Sequence, residues 1–185
     1  MKVFIGIDNG ITGSVGIITE HGDSFYYKTP VKECLAYSKS KAFVKKVDVN
    51  ALFDMLEPFQ NDYVHCMVER PLVNPMRFDE TMSAVVSADR IMDLLERMGD
   101  WVLEVIGPKD WQRAILPSGL WTKVKDKAGR ERLKAEPKEL KKASLAMGGR
   151  LFPRLDLKGF TDCDGLLIAE YCRRKTMNII QGAHH

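Results

Sequence analysis

The sequence predicts an α/β fold, a mixed five-stranded sheet flanked by helices. Three observations carry that prediction. Residues 3–7, 15–19 and 24–29 are short apolar or aromatic runs separated by tight, glycine-bearing connections, the pattern of an antiparallel meander. From residue 49 onward, helical and extended patterns alternate, so further strands join the sheet with helices packed on it. Hydrophobic residues make up 45% of 185 positions, enough to bury a core.

Taken in order, Asn9-Gly10 and Gly13 punctuate the gap between the first two strands, and His21-Gly22-Asp23 the second gap. Residues 39–46 are polar and basic and read as a loop. Val49, Leu52, Phe53 and Leu56 then follow helical spacing up to Pro58. Residues 63–68 form a fourth apolar run ending at Glu69, broken by Pro71 and Pro75. Between 79 and 98 apolar residues recur at helical intervals (Met82, Val85, Val86, Ile91, Leu94, Leu95, Met98), with Gly99 placed to cap the helix. Residues 101–106 read as the fifth strand, and Pro108 opens a short helix. Residues 116–136, with Pro117, Gly119, Gly129 and much charge, read as a loop or insertion. Two helices follow, over 137–150 and 164–174, the last with basic residues at its C-terminal end. The whole is expected to be one domain over residues 1–180, and the terminal 181–185, ending His-His, to be the remnant of a tag.

Several classes are excluded. No stretch approaches the ~20 apolar residues of a membrane span. The opening residues carry Asp8 and glycines where a signal peptide has an apolar run and a cleavage site. Cys34, Cys66, Cys163 and Cys172 are scattered without a CxxC pair, so neither a zinc site nor a disulfide framework is expected, and a cytoplasmic location is. The net charge of +3 permits nucleic acid as a partner without arguing for it.

The acidic residues are more telling. Asp8 and Glu69 each end a strongly apolar strand, and Asp162 and Asp164 stand at the start of the last helix. In open α/β sheets ligands gather where strand C-termini converge. Carboxylates brought together there repel one another unless hard divalent cations neutralise them, and Mg²⁺ or Mn²⁺ take such oxygen ligands. Two ions ~3.5–4 Å apart can activate a water and stabilise the leaving oxygen of a phosphodiester. Singly, each residue has a plainer role: Asp8 stabilising the Asn9-Gly10 turn, Glu69 pairing with Arg70, Asp162 or Asp164 capping the helix. As a set they point to a metal site.

Ile5-Gly-Ile-Asp-Asn-Gly-Ile-Thr-Gly-Ser-Val-Gly16, Val68-Glu-Arg-Pro71, Ile106-Gly-Pro-Lys-Asp-Trp-Gln-Arg113, Lys141-Lys-Ala-Ser-Leu-Ala, Leu151-Phe-Pro and Asp162-Cys-Asp-Gly-Leu-Leu-Ile-Ala169 occur in that order along residues 3–175. Together they resemble the RuvC-like Holliday junction resolvases of the RNase H superfamily, and look closest to small bacteriophage-type members. The resemblance implies an RNase H-like fold, a homodimer, two Mg²⁺ ions per site (Mn²⁺ substituting), and hydrolysis of branched DNA leaving 5′-phosphate and 3′-hydroxyl ends. It would place a phage-encoded member in the host cytoplasm. Asp8 matches the first ligand, Glu69 the second and Asp164 the last. The family's remaining acidic residue falls at Thr161, so Asp162 is the candidate for the fourth ligand.

Between Lys123 and Lys142 nine basic residues face four acidic ones, a local +5 that exceeds the whole-chain excess. Lys123, Lys125, Lys127, Arg130, Lys141 and Lys142 are the expected DNA contacts, since clustered cations gain from counterion release on phosphate. Lys39, Lys41, Lys45 and Lys46 make a second cluster, and Trp121 could stack on a base or anchor the insertion. The family places an aromatic wedge at the junction crossover near residues 72–78. Leu72 stands at the nearest offset, with Met76 and Phe78 as alternatives and burial against the long helix as the plainer role. By resemblance that long helix supplies the dimer contact, and four-way junctions, flaps, Y-junctions and forks are the expected partners. Two other readings compete. A sugar-kinase-like or actin-like protein also uses an Asp-x-Gly-x-Thr-Gly loop, which residues 8–13 match in part, but it needs a second such domain. A non-catalytic branched-DNA binder would have no use for carboxylates facing phosphate.

Overall fold

A computed structural model describes residues 1–35, 43–125 and 129–178. The chain runs through β1 (Lys2–Asp8), β2 (Ser14–Thr19), β3 (Ser24–Lys28), β4 (Val31–Leu35), β5 (Phe43–Val47), α1 (Val49–Leu56), β6 (Tyr63–Glu69) and α2 (Phe78–Glu96). It continues with β7 (Val102–Ile106), α3 (Pro108–Ile115), β8 (Thr122–Lys125), β9 (Glu131–Lys134), α4 (Pro137–Leu151) and α5 (Asp164–Thr176). The central sheet has the order β3-β2-β1-β6-β7. The first three strands are antiparallel, and β6 and β7 join β1 in parallel. This is the mixed five-stranded sheet that the apolar runs predict.

Two regions read as loops hold strands instead. Residues 43–47, inside the basic stretch, form β5 and pair with β4 as a hairpin, Val31 opposite Val47 and Leu35 opposite Phe43. Residues 116–136 contain a second hairpin, β8 against β9, with Thr122 opposite Lys134. Lys39, Lys41, Lys127 and the residues assigned to a tag lie outside the described residues. Where α1 begins, the Asp48 carboxylate accepts from the Asn50 amide at 3.2 Å and from Lys32 Nζ at 3.0 Å.

Alternation along the strands sorts the core into two layers. Val3, Ile5 and Ile7 of β1 and Val64, Cys66 and Val68 of β6 face α1 and α2, packing on Leu52, Leu56, Ile91 and Leu95. Phe4 and Met67 face the other way, into a layer built with Trp111 of α3 and Leu166, Leu167 and Ile168 of α5. Asp8 and Glu69 share the period of that second face. The pairing of Ile7 with Val68 sets their strands level, so the two carboxylates end neighbouring strands at one edge of the sheet.

Glycines let α5 lie directly on that face. Gly6 and Gly16 are cross-strand partners. A β-carbon on Gly6 would meet the Ala169 amide nitrogen at 2.1 Å, and one on Gly16 the Leu166 Cα at 2.3 Å. The obstacles are backbone atoms, which cannot swing aside. Gly165 reciprocates, its own β-carbon position lying 2.5 Å from the Ser14 carbonyl oxygen.

Candidate metal centre

Ser14 is the register partner of Asp8, and its hydroxyl accepts from the Gly165 amide at 3.1 Å. That single buried bond sets the first turn of α5 level with Asp8. Asp164, the first residue of α5, therefore projects at the C-terminal end of β1, with the helix N-terminus favouring its charge. Ser144 of α4 accepts from the Cys163 amide at 3.0 Å and donates to Asp164 Oδ1. The preceding residue is held as firmly: the Tyr26 hydroxyl donates to the Asp162 carbonyl at 3.0 Å, and the Tyr26 ring packs on Phe160 at 4.4 Å. Asp162 does not cap α5. Its carboxylate faces inward, where it accepts from Lys141 Nζ at 3.0 Å and Thr161 Oγ1 at 3.1 Å.

The structure thus brings Asp8, Asp162 and Asp164 together, each offering an oxygen within 4.8 Å of the others. Glu69 stands beside them. Instead of pairing with Arg70, its Oε2 accepts from Trp111 Nε1 at 2.6 Å. Burial, and then Glu69, Asp164 and Asp162, push Asp8 well above the usual carboxylate range, with Lys141 opposing. Burial likewise raises Glu69 to about 7 against the Trp111 hydrogen bond, which lowers it, with Asp164 and Asp162 adding to the rise. Asp164 is raised to about 6, chiefly by burial, against the Ser144 hydrogen bond. Such a group of carboxylates, Asp162 buried and Asp8, Glu69 and Asp164 half-buried, is a site short of positive charge, and its all-oxygen donors suit a hard divalent cation.

Lys141 belongs to this cluster by position, while Lys142 on the same helix faces solvent. Lys123 and Lys125 are exposed on β8, and Lys45 and Lys46 lie on β5. Lys123 pairs with Glu131 at 3.5 Å and Lys134 with Glu136 at 3.1 Å, so part of the hairpin's charge is compensated locally. Trp121 is half-buried with the Arg113 guanidinium 5.9 Å from its ring, in keeping with an anchoring role for the insertion. Leu72, Met76 and Phe78 are not buried against α2; they are 74%, 90% and 69% exposed. A cleft of about 300 Å³ runs from Glu69 past Leu72 and Arg77 to Thr81. His65 packs against Phe4 and Tyr63 in the sheet, away from the cluster.

Sequence reasoning did not find Trp111, Ser144 or Ser14. All three lie in segments that resemble family motifs, but only the folded register shows which group each one holds.

No protein-family model and no curated protein matches the chain. Among solved structures the chain is similar to RuvC of Thermus thermophilus in complex with a Holliday junction substrate, at 17% identity and a TM-score of 0.55, covering 94% of this chain and 96% of that one. A second RuvC structure from Thermus thermophilus is similar at 15% identity with a TM-score of 0.51, covering 95% and 96%. The fold is therefore that of RuvC, the RNase H-like arrangement of a mixed five-stranded sheet with flanking helices.

Proposed function

We propose that this chain is a divalent-metal-dependent, structure-selective DNA endonuclease that resolves Holliday junctions and acts on related branched DNA. The observation that carries the reading is the convergence of Asp8, Asp162 and Asp164, with Glu69 beside them, at the C-terminal edge of a RuvC-like sheet. Their mutual repulsion is the chemical signature of a site made for Mg²⁺ or Mn²⁺. Asp8, Glu69, Asp162 and Asp164 would hold the ions, which supply the Lewis acidity that lets a neutral-pH water act as nucleophile and neutralise phosphate charge. Water attacks phosphorus in line, the bond from phosphorus to the 3′ oxygen breaks, and that oxygen takes up a proton. The products are 5′-phosphate and 3′-hydroxyl ends, with no covalent enzyme intermediate.

The remaining surfaces fit a branched substrate. The β8–β9 hairpin with Lys123, Lys125 and Arg130, joined by Lys127 in sequence and Lys142 on α4, supplies cations for the arms. Leu72, Met76 and Phe78 stand exposed beside the cleft, where a wedge could enter the crossover. The N-terminal half of α2 exposes Met82, Val85 and Val86, an apolar face suited to a C₂ homodimer that presents two sites to two strands. Light scattering on wild type and Met82→Glu tests that; a wild-type monomer would refute it. The reading carries with it a single nuclease domain over residues 1–180, a phage-type relationship and a cytoplasmic location. Among the described residues no helix is long and apolar enough to cross a membrane.

The deciding experiment is a Mg²⁺ cleavage assay on labelled junctions, flaps, forks and duplex, with wild type and Asp8→Asn side by side. Wild type should make paired nicks across a junction, and Asp8→Asn should bind junctions at least as tightly yet not cut. Full cleavage by Asp8→Asn, or unchanged activity in excess chelator, sinks the reading.

A further inference from the structure

Trp111 is fully buried, and its indole has a single polar atom. That atom donates to Glu69 Oε2 at 2.6 Å across 42 residues of sequence. Both ends of the bond are anchored. The Arg70 amide, one residue past Glu69, donates to the Ile106 carbonyl at 2.7 Å, which locks the end of β6 to the end of β7. Directly after β7, Pro108 opens α3, and the Gly107 amide donates to Asp110 Oδ2 at 2.9 Å, fixing the helix start three residues before Trp111. The ring is packed in the layer beneath α5, among Met67, Ile106 and Ile115. No other described residue donates to the Glu69 carboxylate, which leaves Oε1 without a protein donor.

We propose that Trp111 is a positioning residue for the metal centre: its indole N–H holds Oε2 of Glu69, so that this carboxylate meets a cation through Oε1 alone. A glutamate side chain has three rotatable bonds and can bind a cation with one oxygen or two. An indole locked in the core removes that choice and sets the direction from which the ligand approaches. Groups that orient metal ligands in this way commonly contribute 10–100-fold in affinity or activity. The alternative is that Glu69 merely satisfies a buried indole, in which case losing the N–H leaves the cation unaffected.

The inference rests on the metal-centre reading, so its test keeps the two separable. Mn²⁺ binding to the DNA-free protein is followed by the EPR signal of free Mn²⁺ in wild type, Asp8→Asn, Trp111→Phe, Glu69→Ala and the Trp111→Phe/Glu69→Ala double variant. Trp111→Phe should weaken Mn²⁺ roughly tenfold or more, and lower kcat for junction cleavage with little change in KM. In the Glu69→Ala background it should weaken Mn²⁺ no further. If Trp111→Phe binds Mn²⁺ as wild type does while Asp8→Asn does not, the positioning role is overturned and the metal centre stands. Equal Mn²⁺ affinity in wild type and Asp8→Asn would overturn the metal centre itself. Should the smaller ring compromise folding, β-(3-benzothienyl)alanine incorporated at position 111 keeps the indole shape without the donor and must give the same result.

Discussion

At the scale of single residues, the acidic cluster is a store of unfavourable charge. Glu69 is raised from 4.5 to about 7 and Asp164 from 3.8 to about 6, with Asp8 raised as well. A carboxylate with a raised folded-state pKa holds its proton more tightly folded than unfolded. Stability is therefore highest below about pH 4 as far as these groups go, and falls as pH rises through the window from the unfolded values up to 6–7. The metal-free protein should lose on the order of 2 kcal/mol or more between pH 4.5 and 7.5 from these groups together. Mg²⁺ or Ca²⁺ should restore it, with a larger rise in melting temperature at pH 7.5 than at pH 5. Asp8→Asn removes one of the repelling charges and should flatten the metal-free profile. Thermal melts across pH, with chelator and with metal, measure all of this; a metal-free melting temperature rising from pH 4.5 to 7.5 would contradict it. Lys141 moderates the repulsion through its 3.0 Å contact with Asp162 but remains half in solvent, so it cannot cancel the charge of the cluster.

Among the elements, α5 is the one that assembles the site, and it does so through missing side chains. Gly6→Ala would put a methyl 2.1 Å from the Ala169 nitrogen and 2.3 Å from the Gly165 oxygen, so the helix must lift from β1. The expected cost is about 1–3 kcal/mol or more, read from denaturant unfolding. Mn²⁺ affinity should fall with it, because lifting α5 carries Asp164 away from Asp8. Unchanged stability in Gly6→Ala would mean the helix is not seated as described. The sequence already contained this device: glycine inside the strands 3–7 and 15–19 marks close backbone approach. What it could not show is the register, Gly6 opposite Gly16 and both beneath Gly165, which is a three-dimensional coincidence. Asp8 and Glu69 were legible because each ends an apolar run, and Asp162 because it sits two residues from Asp164. The two hairpins were not. β4 and β5 are mostly exposed or half-exposed, and β8 and β9 each offer one partly buried apolar residue, Val124 and Leu133. Strands with so little buried surface leave no alternation to read. Trp111 was visible as a motif residue, but its role depends on the neighbouring ends of β6 and β7.

For the molecule as a whole, the arrangement of charge matters more than its total of +3. Asp8, Glu69, Asp162 and Asp164 meet at one edge of the sheet, and the segment from Lys123 to Lys142 carries +5. With cations bound, the acidic edge would cease to repel phosphate, and the protein meeting DNA would be more basic than its composition states. Phosphate contacts release counterions, so the observed binding constant falls with salt in proportion to the number of contacts, about 0.9 per phosphate in the logarithmic slope. Lys123 is already shared with Glu131, whereas Lys125 stands opposite the same glutamate in the register without a described bond to it. Reversing Lys123 and Lys125 to glutamate should weaken junction binding and lower the salt slope by about 2 if each engages one phosphate. Measured in Ca²⁺ from 50 to 200 mM salt, the loss should apply to junction and duplex alike, since phosphate contacts carry no sequence information. The melting temperature should stay put, because both side chains are exposed on a two-stranded hairpin outside the central sheet. If the slope is unaltered while the fold is intact, the hairpin takes no part in holding the arms.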